Sequence, residues 1–436
     1  MRETSGILRE PRPERVAERE GCRRRLEWAV RHLESFGHRG SASDHERRAA
    51  EWLREQLRQI GLEARCESFA GCRSYGARIL LHVAGAALAL PLIWYAPLAA
   101  SLLALVVLLS FLAETTTRAR VLTRLLPPAP STNVVGRLAG DGPPRRRLVL
   151  CAHIDTQRTG LIWDPAIVRR FALVHKRTVG PARAPLFGMT LALTAQLALS
   201  LVAWAGVVPP WAVGIVLGLV YLAAAVLLAE WAVRQYVPGA CDNATGVAAA
   251  LELARRWSAQ PAAGVELVVL LPGSEETGCL GSAAWLDAHR HQLRSVPTQF
   301  LNLDTLGYGR PRYLHSECGL SGVLRRYPRA LLDGCARVAA ALDLDGAGPH
   351  RLPTQTDGLS FLARGIPGIT LTTFEDGMRL PHYHCLSDRA EHLDFDVTCQ
   401  ATEFAWQLLL VLTRDGADRP TARRTVTPAR DAAHSG

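Results

Sequence analysis

The chain has 436 residues, 48% of them hydrophobic and 21% charged, with a formal net charge of +10 and ten cysteines. That length suits two or three average domains or one large α/β domain with insertions, and ten cysteines without a CxxC pair argue against a disulfide framework and for a reducing compartment. The basic excess sits mainly in the N-terminal helices, beside two apolar blocks and in the C-terminal tail, a distribution that points away from nucleic acid and toward anionic lipid headgroups.

From Pro13 to Ile60 the pattern is helical. "HERRAAEWLREQLRQIGLEARCESF" reads as an amphipathic helix capped by Ser41 or Ser43, stopped at Gly61 and followed by a strand. The N-terminal stretch is charged and has no apolar core, so no signal peptide is expected there. Residues Ile79 to Ala113 then contain no Asp, Glu, Lys or Arg. As one helix this block of about 35 residues, rising ~1.5 Å each, would overshoot a ~30 Å hydrocarbon core. A hairpin fits better, with its turn in "PLIWYAP", Pro91 to Pro97. Pro185 to Ala229 is equally free of charge and breaks near "GVVPPW", Gly206 to Trp211. Four spans in two hairpins are therefore expected, the first pair short.

Arg73 and Arg78 precede the first hairpin and Arg118, Arg120 and Arg124 follow it; Lys176, Arg177 and Arg183 precede the second and Arg234 follows. Neither turn carries a cation. The positive-inside rule then puts both termini and most of the protein on the cytoplasmic side of a bacterial-type inner or plasma membrane.

Outside these blocks, strands alternate with helices. "STNVVGRLAG", "RRRLVLCAHIDT", "VELVVLLPGSEE", "TQFLNLDTLG" and "IPGITLTT" read as strands, and "GVAAALELARRW" from Gly246 reads as a helix. The expected fold class is α/β, a mixed, largely parallel central sheet flanked by helices and interrupted by the two hairpins. The segments are residues 1–76 (N-terminal helices and first strand), 77–116 (first hairpin), 131–183, 184–232 (second hairpin) and 238–413, with a disordered tail over 414–436. Because the hairpins interrupt one sheet, each insertion must cross the bilayer an even number of times.

Several strand ends deliver polar residues of one kind. His153 and Asp155 follow "LVLCA", Asp242 lies in "PGACDNATGV" before a helix, Glu275 and Glu276 follow "LVVLLPGS", Asp304 ends "FLNLD", and His384 lies in "HYHCLSD". In open α/β sheets ligands bind outside the carboxyl ends of the strands, so these groups can converge in one crevice. Two imidazoles and three carboxylates suit a pair of divalent metals, zinc being favoured by the nitrogen donors. The adjacent Glu275 and Glu276 would repel without a nearby cation. One can ligate a metal while the other holds an attacking water as general base.

The motifs "CAHIDT", "GACDNATGV", "GSEETGCLGS", "NLDTLG", "TDGLSFLARGIPG" and "HYHCLSD", in this order, resemble the co-catalytic di-zinc aminopeptidases, whose superfamily also contains glutamate carboxypeptidase and glutaminyl cyclase. The likeness covers roughly residues 35 to 75, 131 to 160 and 238 to 412. It implies that His153 and Asp304 hold one zinc, Glu276 and His384 the other, and that Asp242 bridges them. Glu275 would be the general base, Asp155 would orient His153 from behind, and Tyr383 matches a tyrosine that in some relatives stabilises the oxyanion. Asp357 corresponds to an acid followed in the family by histidine, where this sequence has Gly358. His382, two residues from His384, is the false ligand to be distinguished from it.

The resemblance implies a membrane-embedded metallopeptidase with two zinc ions, removing N-terminal residues from peptides. Its partners are the peptide and the lipid bilayer, with no nucleic acid, and the oligomeric state is left open. Two alternatives stand beside it: cyclisation of N-terminal glutamine by a single-zinc relative, and an inactive scaffold or receptor of the same fold.

Overall fold

The computed structural model describes residues 13–414 apart from 141, 165, 169–183, 345 and 377–378. Most of the expected tail, and the basic flank of Lys176, Arg177 and Arg183, lie outside the described residues. The helical N-terminal stretch is two helices, Pro13–Glu34 and Asp44–Gln59. Between them the backbone passes through Gly37 (φ +80°) and Ala42 (φ +53°), left-handed positions that no helix continues through. Ser43 caps the second helix by accepting from the Glu46 N–H at 3.2 Å.

Among the described residues nine strands form one sheet: β1 (Glu63–Gly71), β2 (Ala129–Leu138), β3 (Arg146–Cys151), β4 (Val265–Leu271), β5 (Thr298–Leu303), β6 (Arg310–Glu317), β7 (Arg325–Arg326), β8 (Pro349–Leu352) and β9 (Gly368–Phe374). Their order is β1-β2-β4-β3-β5-β9-β6-β7, with β8 paired to β6. The run β4-β3-β5-β9 is parallel. The antiparallel pairs are β1-β2, β2-β4, β6-β9 and β6-β7, and β6-β8 is parallel again. The sheet is mixed, as expected, but not largely parallel: the parallel pairs are confined to that central run and to β6-β8. Its centre has the predominantly apolar character of strands covered on both faces, and every residue of β4, "VELVVLL", is buried.

Pro13–Glu34, Gly246–Ala259 and Phe395–Arg414 pack together beside the sheet. The short helices Leu280–Ala288 and Asp357–Ala363 pack on each other and on its strands. Trp257, Phe300, Phe361 and Phe404 are among the largest side groups fully enclosed in this core.

Among the described residues four helices are long and apolar enough to cross a membrane: Tyr75–Tyr95, Pro97–Thr115, Phe187–Trp204 and Trp211–Val233. The turns fall at Ala96, inside the expected break, and across residues 205–210. The hairpins make one bundle with a second apolar core. Their turns meet at one end, where Trp94 stacks on Trp211 at 4.1 Å and donates to the Pro209 carbonyl at 2.9 Å. Inside the bundle polar groups satisfy each other: Gln196 donates to the Ala86 carbonyl (2.8 Å) and accepts from Tyr221 (2.6 Å). His82 lies 2.9 Å from both the Arg78 carbonyl and Ser110 Oγ.

Candidate metal centre

The parallel centre of the sheet aligns three strand ends. Cys151 of β3 is level with Leu270 of β4 and Asn302 of β5. Two residues beyond Cys151 is His153, four beyond Leu271 is Glu275, and one beyond Leu303 is Asp304, so three segments open onto one crevice. A fourth arrives in the turn Ala240–Thr245 that leads into Gly246–Ala259, where Asp242 leaves the helical path at φ −112°, ψ 90°. That turn is pinned by the buried Asp388 carboxylate, which accepts from the Cys241 N–H (2.8 Å) and the Asp242 N–H (3.1 Å). The fully buried Arg39 guanidinium clamps the same turn to the end of β3 through the carbonyls of Ile154, Pro238 and Gly239, at 2.7 to 2.9 Å.

At the centre Asp242 spans two imidazoles, with Oδ1 3.2 Å from His153 Nε2 and Oδ2 3.0 Å from His384 Nε2. Glu276 Oε2 lies 3.5 Å from His384 Nε2 and accepts from Gln157 Nε2 at 2.9 Å. His153, Asp242 and Glu276 each offer a ligand atom within 4.8 Å of the others, and all three are buried. Glu275 is turned differently: its Oε1 accepts from the Cys279 thiol at 3.2 Å. The loop thus separates the two adjacent carboxylates, as their mutual repulsion requires.

Asp155 explains how the loop is held. Its Oδ1 accepts from the Glu275 N–H (2.9 Å) and its Oδ2 from the Glu276 N–H (3.1 Å) and from Ser41 Oγ (2.5 Å). Its main-chain oxygen lies 3.1 Å from His153 Nδ1. The residue therefore positions the imidazole through its backbone and the acidic loop through its carboxylate. Glu46, equally buried, accepts from the N–H groups of Ala42 and Ser274 at 3.0 Å and ties the N-terminal helices to the same loop.

The electrostatics call for a cation. Burial raises Glu275 and Asp304 well above the ordinary carboxylate range, and repulsion adds to it, from Asp357, Glu276 and Asp304 on the first and from Asp242, Asp357 and Glu276 on the second. Burial would also raise Asp242, yet the hydrogen bonds from His153 and His384 outweigh it and hold that carboxyl low. Glu276 Oε1 is buried without a hydrogen-bond partner among the described residues. Unpaired buried acceptors and crowded carboxylates are what a divalent ion would relieve, and an N,O,O donor set suits zinc. His153, Asp242 and Glu276 fit it. Two zinc ions were expected; the described residues support one such triad.

Of the other expected residues, Tyr383 stacks on His384 with ring centroids 3.7 Å apart. His382 hydrogen-bonds Ser387 (2.7 Å) and stacks on His392 (4.5 Å). Gly358 leaves no room for the family's histidine, because even a Cβ there would overlap Thr370 Oγ1 and the Tyr327 hydroxyl. Asp357 keeps Oδ1 unpaired, with Oδ2 3.9 Å from Cys151 Sγ. All ten cysteines are free.

Three contributors were not read from the sequence. Gln157 could have been, since it sits two residues past Asp155 on the same strand end. Arg39 and Trp163 carry no such signal. Trp163 meets His384 edge-on at 4.3 Å and Trp231 of the second hairpin at 5.8 Å, linking the bundle to the site. On the other side, Arg78 of the first hairpin donates to the Thr277 carbonyl, next to Glu276.

Residues 226–409 match peptidase family M28. Among solved structures, glutaminyl cyclase from Porphyromonas gingivalis is similar with a TM-score of 0.53 at 15% identity, over 89% of this protein and 98% of the cyclase. A leucine aminopeptidase precursor from Bacteroides thetaiotaomicron gives 0.51 at 14%, over 88% and 96%. A Zn-dependent exopeptidase from Parabacteroides distasonis gives 0.51 at 13%, over 89% and 97%. No curated protein matches.

Proposed function

We propose, on the premise that the match over residues 226–409 and the buried triad class this protein with the zinc-dependent peptidases of the M28 superfamily, that it is a membrane-borne enzyme working on the amino-terminal residue of peptides through one zinc. The observation that carries this is the single set of His153, Asp242 and Glu276 among the described residues. One zinc favours the cyclase-type reaction over two-metal hydrolysis. The α-amine of an N-terminal glutamine attacks the carboxamide carbon of the same residue and a new C–N bond forms. The bond from that carbon to the carboxamide nitrogen then breaks to release ammonia.

Zinc would supply Lewis-acid polarisation of the carboxamide and an open coordination position. The protein supplies the rest. Glu275, not a member of the triad, takes the proton from the attacking amine and returns it to the departing nitrogen. Asp155 fixes Glu275 and Glu276 by their main-chain N–H groups, so that base and ligand keep one spacing. Tyr383 and Trp163 flank His384 and shield that side from water. Through Trp163 the second hairpin reaches the site, which favours substrates presented near the bilayer surface.

A second reading is favoured by Asp242. Its carboxylate has one oxygen toward each imidazole, which fits a reading in which Asp242 would help hold two ions, one with His153 and Asp304 and the other with Glu276 and His384. Glu275 would then take a proton from water and pass it to the amine leaving a cleaved peptide bond, which is aminopeptidase chemistry.

Metal analysis of the detergent-purified protein, with turnover of glutaminyl peptides and of aminoacyl amides beside Glu275→Gln, separates the two. One zinc per molecule and ammonia released from glutaminyl peptides is the expected result, with the variant keeping its metal and losing about 10²- to 10⁴-fold in rate. Two zinc ions with amide hydrolysis would replace it by the second reading, and no turnover of either would leave an inactive scaffold.

A further inference from the structure

At the end of the first hairpin that meets the sheet domain, away from the turn at Ala96, lies a cavity of about 420 Å³. Against the ~30 Å³ occupied by one water molecule in the liquid, it has room for a glycerophosphate. Five arginines line it: Arg78, Arg118, Arg120, Arg124 and Arg364. Two carboxylates also line it, and both are already engaged. Glu114 pairs with Arg78 at 2.9 Å, and Asp287 takes Arg364 at 2.7 and 2.9 Å. Arg118, Arg120 and Arg124 have no carboxylate within ion-pair distance among the described residues.

Two further observations point to an anion. Nε of Arg78, a residue 2% exposed, is buried without an acceptor, and so is Nε of Arg120. Arg120 spends its two terminal nitrogens on the carbonyls of Ala70 (2.7 Å) and Thr123 (3.1 Å), and burial with repulsion from Arg78 and Arg124 lowers its guanidinium, partly offset by Glu114, so the free guanidinium groups of the cluster are those of Arg118 and Arg124. Exposed apolar residues stand next to these arginines in the chain, as at a bilayer interface. Val121 and Leu125, which alternate with these arginines in the sequence, are 45% and 75% exposed.

We infer that this cavity binds the phosphate of an anionic membrane lipid, its acyl tails lying beside Leu125 and its headgroup among Arg118, Arg120 and Arg124. The inference rests on the four apolar helices lying in a bilayer, and not on the reaction at the metal centre. The ligand chemistry is a phosphodiester held by guanidinium forks. Gly278 forms part of the wall, two residues from Glu276, so the headgroup would sit directly behind the metal-binding loop.

The test is native mass spectrometry of the full-length protein released from phosphatidylcholine vesicles with and without phosphatidylglycerol, compared with the double variant Arg118→Gln/Arg124→Gln. Both arginines are exposed and neither belongs to the metal centre, so the variant should keep its zinc and its melting temperature. The wild type should retain phosphatidylglycerol in preference to phosphatidylcholine, and the variant should hold it about twenty-five-fold more weakly, roughly fivefold per arginine. Equal retention by both proteins would overturn the inference. So would equal protection by inorganic phosphate without any preference for phosphatidylglycerol, which would identify a free-phosphate site. A protein that stays in solution without detergent would refute the bilayer premise itself. None of these readouts depends on turnover, so the proposed reaction can fail without this site failing.

Discussion

Asp242 answers to two imidazoles with one carboxylate, and the metal count turns on which of them is the ligand. With a single zinc on His153, Asp242 and Glu276, His153→Ala should bring bound zinc from close to one per molecule to near none. His384→Ala should leave most of it, since it removes a neighbour and not a donor of the triad. If both variants retain about half the metal of a two-zinc wild type, the bridging arrangement holds instead; elemental analysis of the three proteins reads this directly. The ligand candidates were legible because each follows an apolar strand or precedes a helix, and the sequence has few acids in such places. What the sequence could not show is their orientation. The resemblance implied Glu276 as ligand and Glu275 as base, but the residues themselves are neighbours of the same type; in the structure Glu276 turns to Gln157 and His384, and Glu275 to Cys279.

Among the elements, the helix Gly246–Ala259 carries a buried carboxylate, Glu252, outside the candidate metal centre. Glu252 is buried and pairs with Arg25 (2.8 Å), Arg255 (2.8 Å) and Arg256 (3.0 Å), fastening the N-terminal helix to the helix behind the site. Burial would raise its carboxyl, but the three guanidinium groups outweigh burial and bring it down to about 2 from 4.5. A carboxyl lowered in the folded state contributes stability above its unfolded value and loses it as the pH falls through the folded one. The melting temperature of the wild type should therefore fall from pH ~4.5 toward ~2 more steeply than that of Glu252→Gln. At neutral pH the variant should be less stable by about 1–3 kcal/mol, read by denaturant unfolding. A parallel fall of both proteins in acid would assign the window to other carboxylates. The central strands were legible from their unbroken apolar runs. β6, β7 and β8 were not, since "RPRYLHSE" and its neighbours mix Arg, Pro and His with few apolar residues, the composition of sheet margins, which disguises a strand period.

For the molecule as a whole, the two hairpins do different jobs. Within the most apolar windows of the first, 44% and 50% of residues are buried inside the protein, against 28% and 22% in the second, so the first is the scaffold and the second faces outward. Exposed Leu, Val and Ile residues along Trp211–Val233, among them Ile215, Val216, Leu219 and Leu222 at about 60% each, would be unfavourable in water. The protein should thus sediment with membranes after an alkaline carbonate wash and require detergent for release. Recovery in the wash supernatant would show that the helices lie on the bilayer or pack against another protein instead. Replacing residues 184–230 by a soluble loop should then shift substrate preference away from apolar peptides, since Trp231 is left without the helix that holds it against Trp163 beside His384.

By itself the sequence determined the composition of the site, the alternation of strand and helix, and the two uncharged blocks, because apolar periodicity and hydropathy are properties of neighbouring residues. Only the tertiary structure decided the mixed pairing of the sheet, the joining of both hairpins into one bundle, and the clamps of Arg39 and Asp155. These depend on groups more than a hundred residues apart meeting in space, as Arg39 meets Gly239 and Asp155 meets Glu275. The arginine cavity belongs to the same class. Its cations are visible in the sequence as membrane flanks, yet their convergence with Arg364 beneath the metal-binding loop follows only from how the hairpin seats on the sheet domain.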